Sequence, residues 1–204
     1  MVDVLTTNKT SFFREAAHFD FLWEHVFPEI QERGDGFRAW SAGCSSGEEP
    51  YSLAILLREG LPGLMPPDVR ILATDLSSIV LDRARRAVYP ARVVESVPPE
   101  LRGRYFRPAR TADGEPAFEV EPVTRSFVTL ARLNLMAPWP MRGPFDLILC
   151  RNVMIYFDRE TRERLVQRFS ALLRPGGFLF VGHSEGLANL DHDLHYVQPA
   201  VYRK

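Results

Sequence analysis

The sequence predicts an α/β fold built on a mostly parallel, doubly wound sheet. Three observations predict it. From Phe37 onward, short apolar runs with strand character alternate with helical patterns. The first run breaks at Gly43 and Gly47 and continues into an apolar-periodic helix, a layout in which glycine lets a ligand approach the backbone closely. The predicted strands finish in small or polar residues, where an open parallel sheet binds its ligands.

The elements follow in chain order. Thr6, Thr7, Asn8 and Thr10 precede a short helical pattern with Phe12, Phe13 and Phe19, and Asp20 is placed to cap a second helix carrying Phe21, Leu22, Val26, Phe27 and Ile30. Pro28 is expected to kink that helix. Gly34 to Gly36 ends it. Strand one runs from about Phe37 to Ala42, with its helix from Glu49 to Arg58. After Pro62 comes strand two, Val69 to Asp75, and a helix capped by Ser77 or Ser78 with Ile79, Val80, Leu81 and Ala84 inward. The alternation stops after Tyr89 and Pro90. Asp113-Gly114 then separates two short runs, which suggests a β-hairpin inserted over 92–125, with a long surface loop as the alternative.

Strand three is expected at Phe127 to Asn134 and strand four at Phe145 to Arg151. Asp158 should cap a helix with Leu165, Phe169 and Leu172 on one face, closed by Pro175-Gly176-Gly177. Strand five, Phe178 to Gly182, and a terminal hairpin from His195 to Arg203 complete the chain. The predicted organisation is therefore an N-terminal helical segment, 1–36, a main domain of 37–91 with 126–204, and the insertion.

Composition narrows the function classes. The 204 residues are 46% hydrophobic and 25% charged with a net charge of −1, so no general basic field points to nucleic acid. The longest apolar run is far short of the roughly 20 residues a membrane span needs, and no signal-peptide pattern opens the chain. A soluble, cytoplasmic monomer is the default expectation. Cys44 and Cys150 offer neither a disulfide framework nor metal-ligand spacing, so reduced thiols and no metal are expected.

The strand ends collect Gly43 to Glu49, then Asp75, Asn134 and Arg151-Asn152. One carboxylate at the end of strand two can hold two ribose hydroxyls, and each asparagine can both donate and accept. Each has a plainer reading. Ser45 with Glu48, or Ser46 with Glu49, matches a capping box, Asp75 can cap the next helix, and the asparagines can be turn residues. Their convergence on one rim favours a ligand. Glu48 and Glu49 disfavour a pyrophosphate, and no G-x-G-x-x-G is present, which makes NAD a poor match. S-adenosylmethionine fits better, with its ribose, adenine, ammonium and sulfonium and no phosphate.

Five stretches carry a family resemblance: Leu5 to Glu15, Trp40 to Ser52, Ala73 to Leu76, Gly143 to Asp158 and Gly182 to Glu185. In these the chain resembles the CheR-type chemoreceptor glutamate methyltransferases, across essentially the whole catalytic domain. The resemblance implies a Rossmann-like class I S-adenosylmethionine-dependent methyltransferase fold. It also implies methyl transfer to glutamate side chains on the cytoplasmic helices of chemotaxis receptors, a signal-transduction role, with S-adenosylhomocysteine as product. Carried over by position, Asn8, Thr10 and Arg14 lie over the cofactor, and Glu49, Asp75, Asn134, Leu135, Arg151 and Asn152 line its pocket. Glu48 competes with Glu49 for the ammonium. Arg14 and Tyr156 are the implied catalytic pair, gripping and orienting the substrate carboxylate, while His183 is expected to be structural.

The resemblance also has departures. Fuller relatives carry an N-terminal helical domain, and this sequence starts just before the Thr-Asn-Lys-Thr motif, so the expectation is a catalytic domain without it. Some relatives bind a receptor's C-terminal pentapeptide on the insertion, whose loop here gives no decisive sign of doing so. Two other functions stay open at this point: a non-catalytic S-adenosylmethionine-sensing module, and a methyltransferase for another protein carboxylate.

Overall fold

The computed structural model describes residues 10–63, 65 and 68–204. The N-terminal segment holds α1 (Ala16–Phe21), a π-helical turn (Leu22–Val26) and α2 (Phe27–Arg33). These run on without a break, in place of the two separate helices expected from Asp20. Pro28 has no N–H to continue the ladder, and the Phe27 N–H reaches back five residues to the Leu22 carbonyl, so a wider turn absorbs the mismatch.

The chain then gives β1 (Phe37–Ala42), α3 (Glu48–Gly60), β2 (Val69–Asp75), α4 (Ser78–Arg86) and β3 (Val88–Pro90). Short helices α5 (Ala91–Val94) and α6 (Pro99–Tyr105) lead to β4 (Phe106–Arg110) and β5 (Pro116–Val120), and α7 (Pro122–Arg125) returns the chain to β6 (Val128–Arg132). Last come β7 (Phe145–Cys150), α8 (Arg159–Leu172), β8 (Leu173–Val181), β9 (His195–Gln198) and β10 (Val201–Arg203).

Seven strands form one sheet in the order β6-β2-β1-β7-β8-β10-β9. The pairs among β6, β2, β1, β7 and β8 are parallel, and β10 enters antiparallel between β8 and β9. The α/β architecture with a terminal antiparallel hairpin is thus as the sequence predicts. The hairpin across Asp113-Gly114 also forms, and it gains β3 as a third strand in a separate antiparallel sheet, β3-β5-β4. Strand order reverses between β1 and β7, the switch point at which such sheets leave a crevice.

Both faces of the large sheet are covered. Ala39, Ile71, Leu147, Leu149 and Phe180 face the N-terminal helices and α3 in one core, while Trp40, Ile148, Leu179 and Phe169 meet on the α8 side. Every residue of β7 is buried, as expected for a central parallel strand. Asp158 accepts from the Thr161 N–H at 2.8 Å, the predicted cap of α8. That helix ends at Leu172, ahead of Pro175-Gly176-Gly177. The Pro-Gly-Gly segment lies within β8, where the pairing with β7 skips register between Phe145 and Leu147.

The β1–α3 turn is closely packed. Gly47 sits at φ 98°, and a Cβ there would meet Ala84 Cβ and the Tyr89 hydroxyl at 2.9 Å each. Gly47→Ala combines a left-handed backbone with overpacking, each costing about 1–3 kcal/mol. A urea midpoint lowered by a loss of about 2–4 kcal/mol is expected, and an unchanged midpoint would show that the turn tolerates a side chain.

Candidate active site

A cavity of about 690 Å³ opens over the carboxyl ends of β2, β1 and β7, within the size range of small-molecule pockets. Thr10 and Arg14 border it from the N-terminal segment. Glu49 reaches it from α3, Asp75 from the end of β2, and Asn134 with Leu135 from the loop after β6. Arg151, Asn152 and Tyr156 complete it after β7. Nine of the ten site residues expected from the sequence therefore line one cavity; the tenth, Asn8, lies outside the described residues.

The turn after β1 is held from below. Gly43 and Cys44 donate backbone N–H bonds to the Thr74 carbonyl at 2.8 and 2.9 Å. A Cβ on Gly43 would overlap Val153, so this position requires glycine for close approach of two loops as well as for its φ of 90°. The Asp75 carboxylate accepts from the Ser45 N–H at 2.9 Å and the Ser77 N–H at 3.0 Å. It therefore ties two loops together and also lines the cavity. The bond to Ser77, the N-cap residue of α4, is a turn contact ahead of the helix and not a helix cap, and it leaves Asp75 on the rim.

The two adjacent glutamates separate cleanly. Neither forms the capping box, because Gly47 is the N-cap of α3 and has no side chain. Glu48 turns away from the cavity and takes the Ser46 hydroxyl at 2.7 Å. Glu49 faces it, accepting from the Ser41 hydroxyl at 2.6 Å and from Arg151 Nη1 at 3.2 Å. Burial raises the pKa of Glu49 against the opposing pull of Arg151 and Ser41.

Arg151 is the charge centre of this floor. Its side chain is 2% exposed and lies between two carboxylates, Glu49 and Glu15, the latter 3.1 Å from Nη2. It also donates to the Arg14 carbonyl, which fastens the N-terminal segment over the sheet. For Glu15, burial works to raise the pKa, but Arg151, with His18 and His183, outweighs it and the net shift is downward.

Two residues that position this site escape a reading of motifs alone. Glu185 is buried and accepts three backbone N–H bonds, from Asn152 at 2.6 Å, Gly182 at 2.7 Å and Ile155 at 3.0 Å. It thereby fixes Asn152 at φ 60° and sets the short 3₁₀ turn, Met154–Tyr156, that carries Tyr156 to the cavity. Glu15 is the other. The signal for both was an acid beside an apolar or glycine-rich run in a matching motif, yet Asn152 is 33 residues from Glu185 and Arg151 is 136 residues from Glu15.

The matches to known proteins follow this geometry. A family description of the CheR methyltransferase, SAM binding domain, matches residues 8–202. The chain belongs to the CheR methyltransferase family. A chemotaxis protein methyltransferase 2 of Pseudomonas aeruginosa is 45% identical over 98% of this chain and 71% of its own length. A probable chemotaxis protein methyltransferase of Rhizobium etli is 44% identical over 91% and 70%. The Escherichia coli chemotaxis protein methyltransferase is 41% identical over 98% and 68%.

This CheR-family chain is an S-adenosylmethionine-dependent methyltransferase. The donor set suits that cofactor: two carboxylates, Glu49 and Asp75, face the cavity where a phosphate would be repelled, and the cavity's size accommodates a nucleoside with an amino acid arm. No helix among the described residues is long and apolar enough to cross a membrane.

Proposed function

We propose that the chain transfers the methyl group of S-adenosylmethionine to glutamate side chains on the cytoplasmic helices of chemotaxis receptors, forming methyl esters. The observation that carries this reading is the presence of Arg14 and Tyr156 in the same cavity as the cofactor rim, although 142 positions separate them in the chain. Three relatives named as chemotaxis protein methyltransferases support the receptor as substrate.

In this reading Asp75 holds the ribose, Asn134 and Leu135 the adenine end, and Glu49 the ammonium, with Arg151 and Asn152 shaping the floor. Asn8, Thr10 and Arg14 close over them, making residues 1–36 a cover on the main domain of 37–91 and 126–204. The insertion, 92–125, is the surface offered to receptor segments, a C-terminal peptide among them. The bound cofactor supplies an activated methyl group on a good leaving group.

The chain's own task is then positioning. A glutamate is ionised at neutral pH and needs no general base, which fits the structural placement of His183 away from the cavity lining. Arg14 is always cationic and grips the incoming carboxylate with its planar fork, and the Tyr156 hydroxyl donates to one oxygen so that the other is aligned for attack. Tyr156 is half-exposed at the mouth, where a side chain from a receptor helix can reach it.

Tyr156→Phe removes one hydrogen bond to an ionised carboxylate, about 1.5 kcal/mol at the low end of the charge-assisted range. A drop in kcat of about tenfold with unchanged cofactor affinity is expected, measured by single-turnover kinetics and calorimetry. Loss of cofactor affinity instead would place the hydroxyl on the cofactor. The proposal as a whole is tested with methyl-labelled S-adenosylmethionine and receptor cytoplasmic fragments. Base-labile label on the receptor is expected; tight cofactor binding with no label on any receptor fragment would sink it in favour of a sensing module, and label on other carboxylate proteins alone would redirect the substrate.

A further inference from the structure

Behind the floor of the cavity lies a cluster of which the methyl-transfer site uses only Glu15, as the partner of Arg151. His18 of α1 is 1% exposed, and neither of its ring nitrogens has a hydrogen-bond partner. Such a group costs desolvation energy without return, so its retention in a tightly packed position needs an account. Its Nδ1 lies 3.4 Å from Glu15 Oε2, and Nδ1 of His183 lies 3.4 Å from Glu15 Oε1. The two imidazoles stack with centroids 5.3 Å apart, and one ligand atom from each of the three residues can be chosen so that all lie within 4.8 Å of one another.

We propose that Glu15, His18 and His183 form a binding site for a borderline transition-metal dication of the Zn²⁺ class, joining the N-terminal helical segment to the end of β8. The chemistry of the donors selects the metal: two imidazoles and one carboxylate suit Zn²⁺ and its neighbours, and not the oxygen-preferring Mg²⁺ or Ca²⁺. Tetrahedral bonds of about 2.1 Å set ligand atoms about 3.4 Å apart. The two imidazoles lie at that distance from different oxygens of Glu15, so the carboxylate and the His183 ring must turn to bring three donors to one point. Three protein ligands leave the fourth position to water. His183 is half-exposed, so its ring can turn from the stacked arrangement to aim Nδ1 at the shared point, and it provides the entry path.

The competing cation is Arg151, which shares Glu15 Oε2. Glu15 and Glu49 set two carboxylates against its one guanidinium. A bound dication draws Glu15 from Arg151 and leaves the guanidinium to Glu49 alone. The site therefore sits behind the pocket floor, joined to it through that guanidinium and, along the chain, through Arg14 and Ser184, which border the cavity beside Glu15 and His183.

Calorimetric titration of the intact protein with Zn²⁺ alone, with Co²⁺ absorption reporting coordination geometry, tests the site. One equivalent is expected to bind, with an intense tetrahedral Co²⁺ band. His183→Ala, an exposed position whose replacement spares the core, should weaken Zn²⁺ by at least the roughly 10–100-fold that even an outer-shell partner is worth. His195→Ala, exposed and outside the cluster, should leave it unchanged. Absence of binding to the unsubstituted protein, or equal Zn²⁺ affinity in His183→Ala, overturns the proposal. Both outcomes are independent of methyl transfer.

Discussion

Asp75→Ala is expected to weaken S-adenosylmethionine binding by about a hundredfold or more. In the proposed ribose assignment two charge-assisted hydrogen bonds, each about 1.5–3 kcal/mol, would be lost, and every 1.4 kcal/mol is tenfold in Kd. The same carboxylate now accepts from the Ser45 and Ser77 N–H groups, so its removal also leaves the β1–α3 turn and the start of α4 without their shared anchor. Both effects act in the same direction. Asp75→Asn separates them, since one amide oxygen can keep a loop contact while the charge is gone. Calorimetry on the three proteins should rank affinity as Asp75, then Asn, then Ala; equal affinity throughout would remove the ribose assignment.

Arg151→Met should cost about 3–5 kcal/mol of stability, the usual consequence of breaking a buried ion network by deleting one partner. Glu15 and Glu49 would remain in place, 13% exposed each, with no guanidinium between them. The pH dependence follows from Glu15. Its pKa in the folded chain lies below the ordinary 4.5, so its contribution is present above that value and is lost as pH falls through the lowered one. The deficit of Arg151→Met relative to the unsubstituted protein should accordingly be greatest near neutral pH and shrink in acid, where the stranded carboxylates take up protons. Urea unfolding at pH 7 and pH 4 measures this, and a deficit that is the same at both, or under about 1 kcal/mol at pH 7, would show that the triad contributes little.

Much of this was legible in the sequence because the signals were local. Alternating apolar runs and glycine turns gave strand and helix identities, and the polar strand ends marked the rim before any side chain was placed. Asp158 as a cap and Asp113-Gly114 as a hairpin turn each rest on contacts within a few residues. What stayed hidden depends on distance in the chain. Glu15 and Glu185 act on partners contributed by other segments, and the choice between Glu48 and Glu49 turns on which side of one helical turn meets the crevice, which neighbouring positions in a sequence do not disclose. The single helical run of α1, the π turn and α2 is similar: Pro28 signals a break, but the packing of Phe27 and Ile30 against the sheet keeps the axis continuous. The cluster around His18 is a tertiary meeting of residues 15, 18 and 183 that no spacing rule would group.

A crystal structure with S-adenosylhomocysteine decides whether four strand ends form one cofactor site with the substrate-facing pair at its mouth. Ribose hydroxyls on Asp75, the amino group at Glu49, the adenine beside Asn134 and Leu135, and the sulfur directed toward Arg14 and Tyr156 are expected. A ribose away from Asp75, or a sulfur directed away from Tyr156, would contradict it.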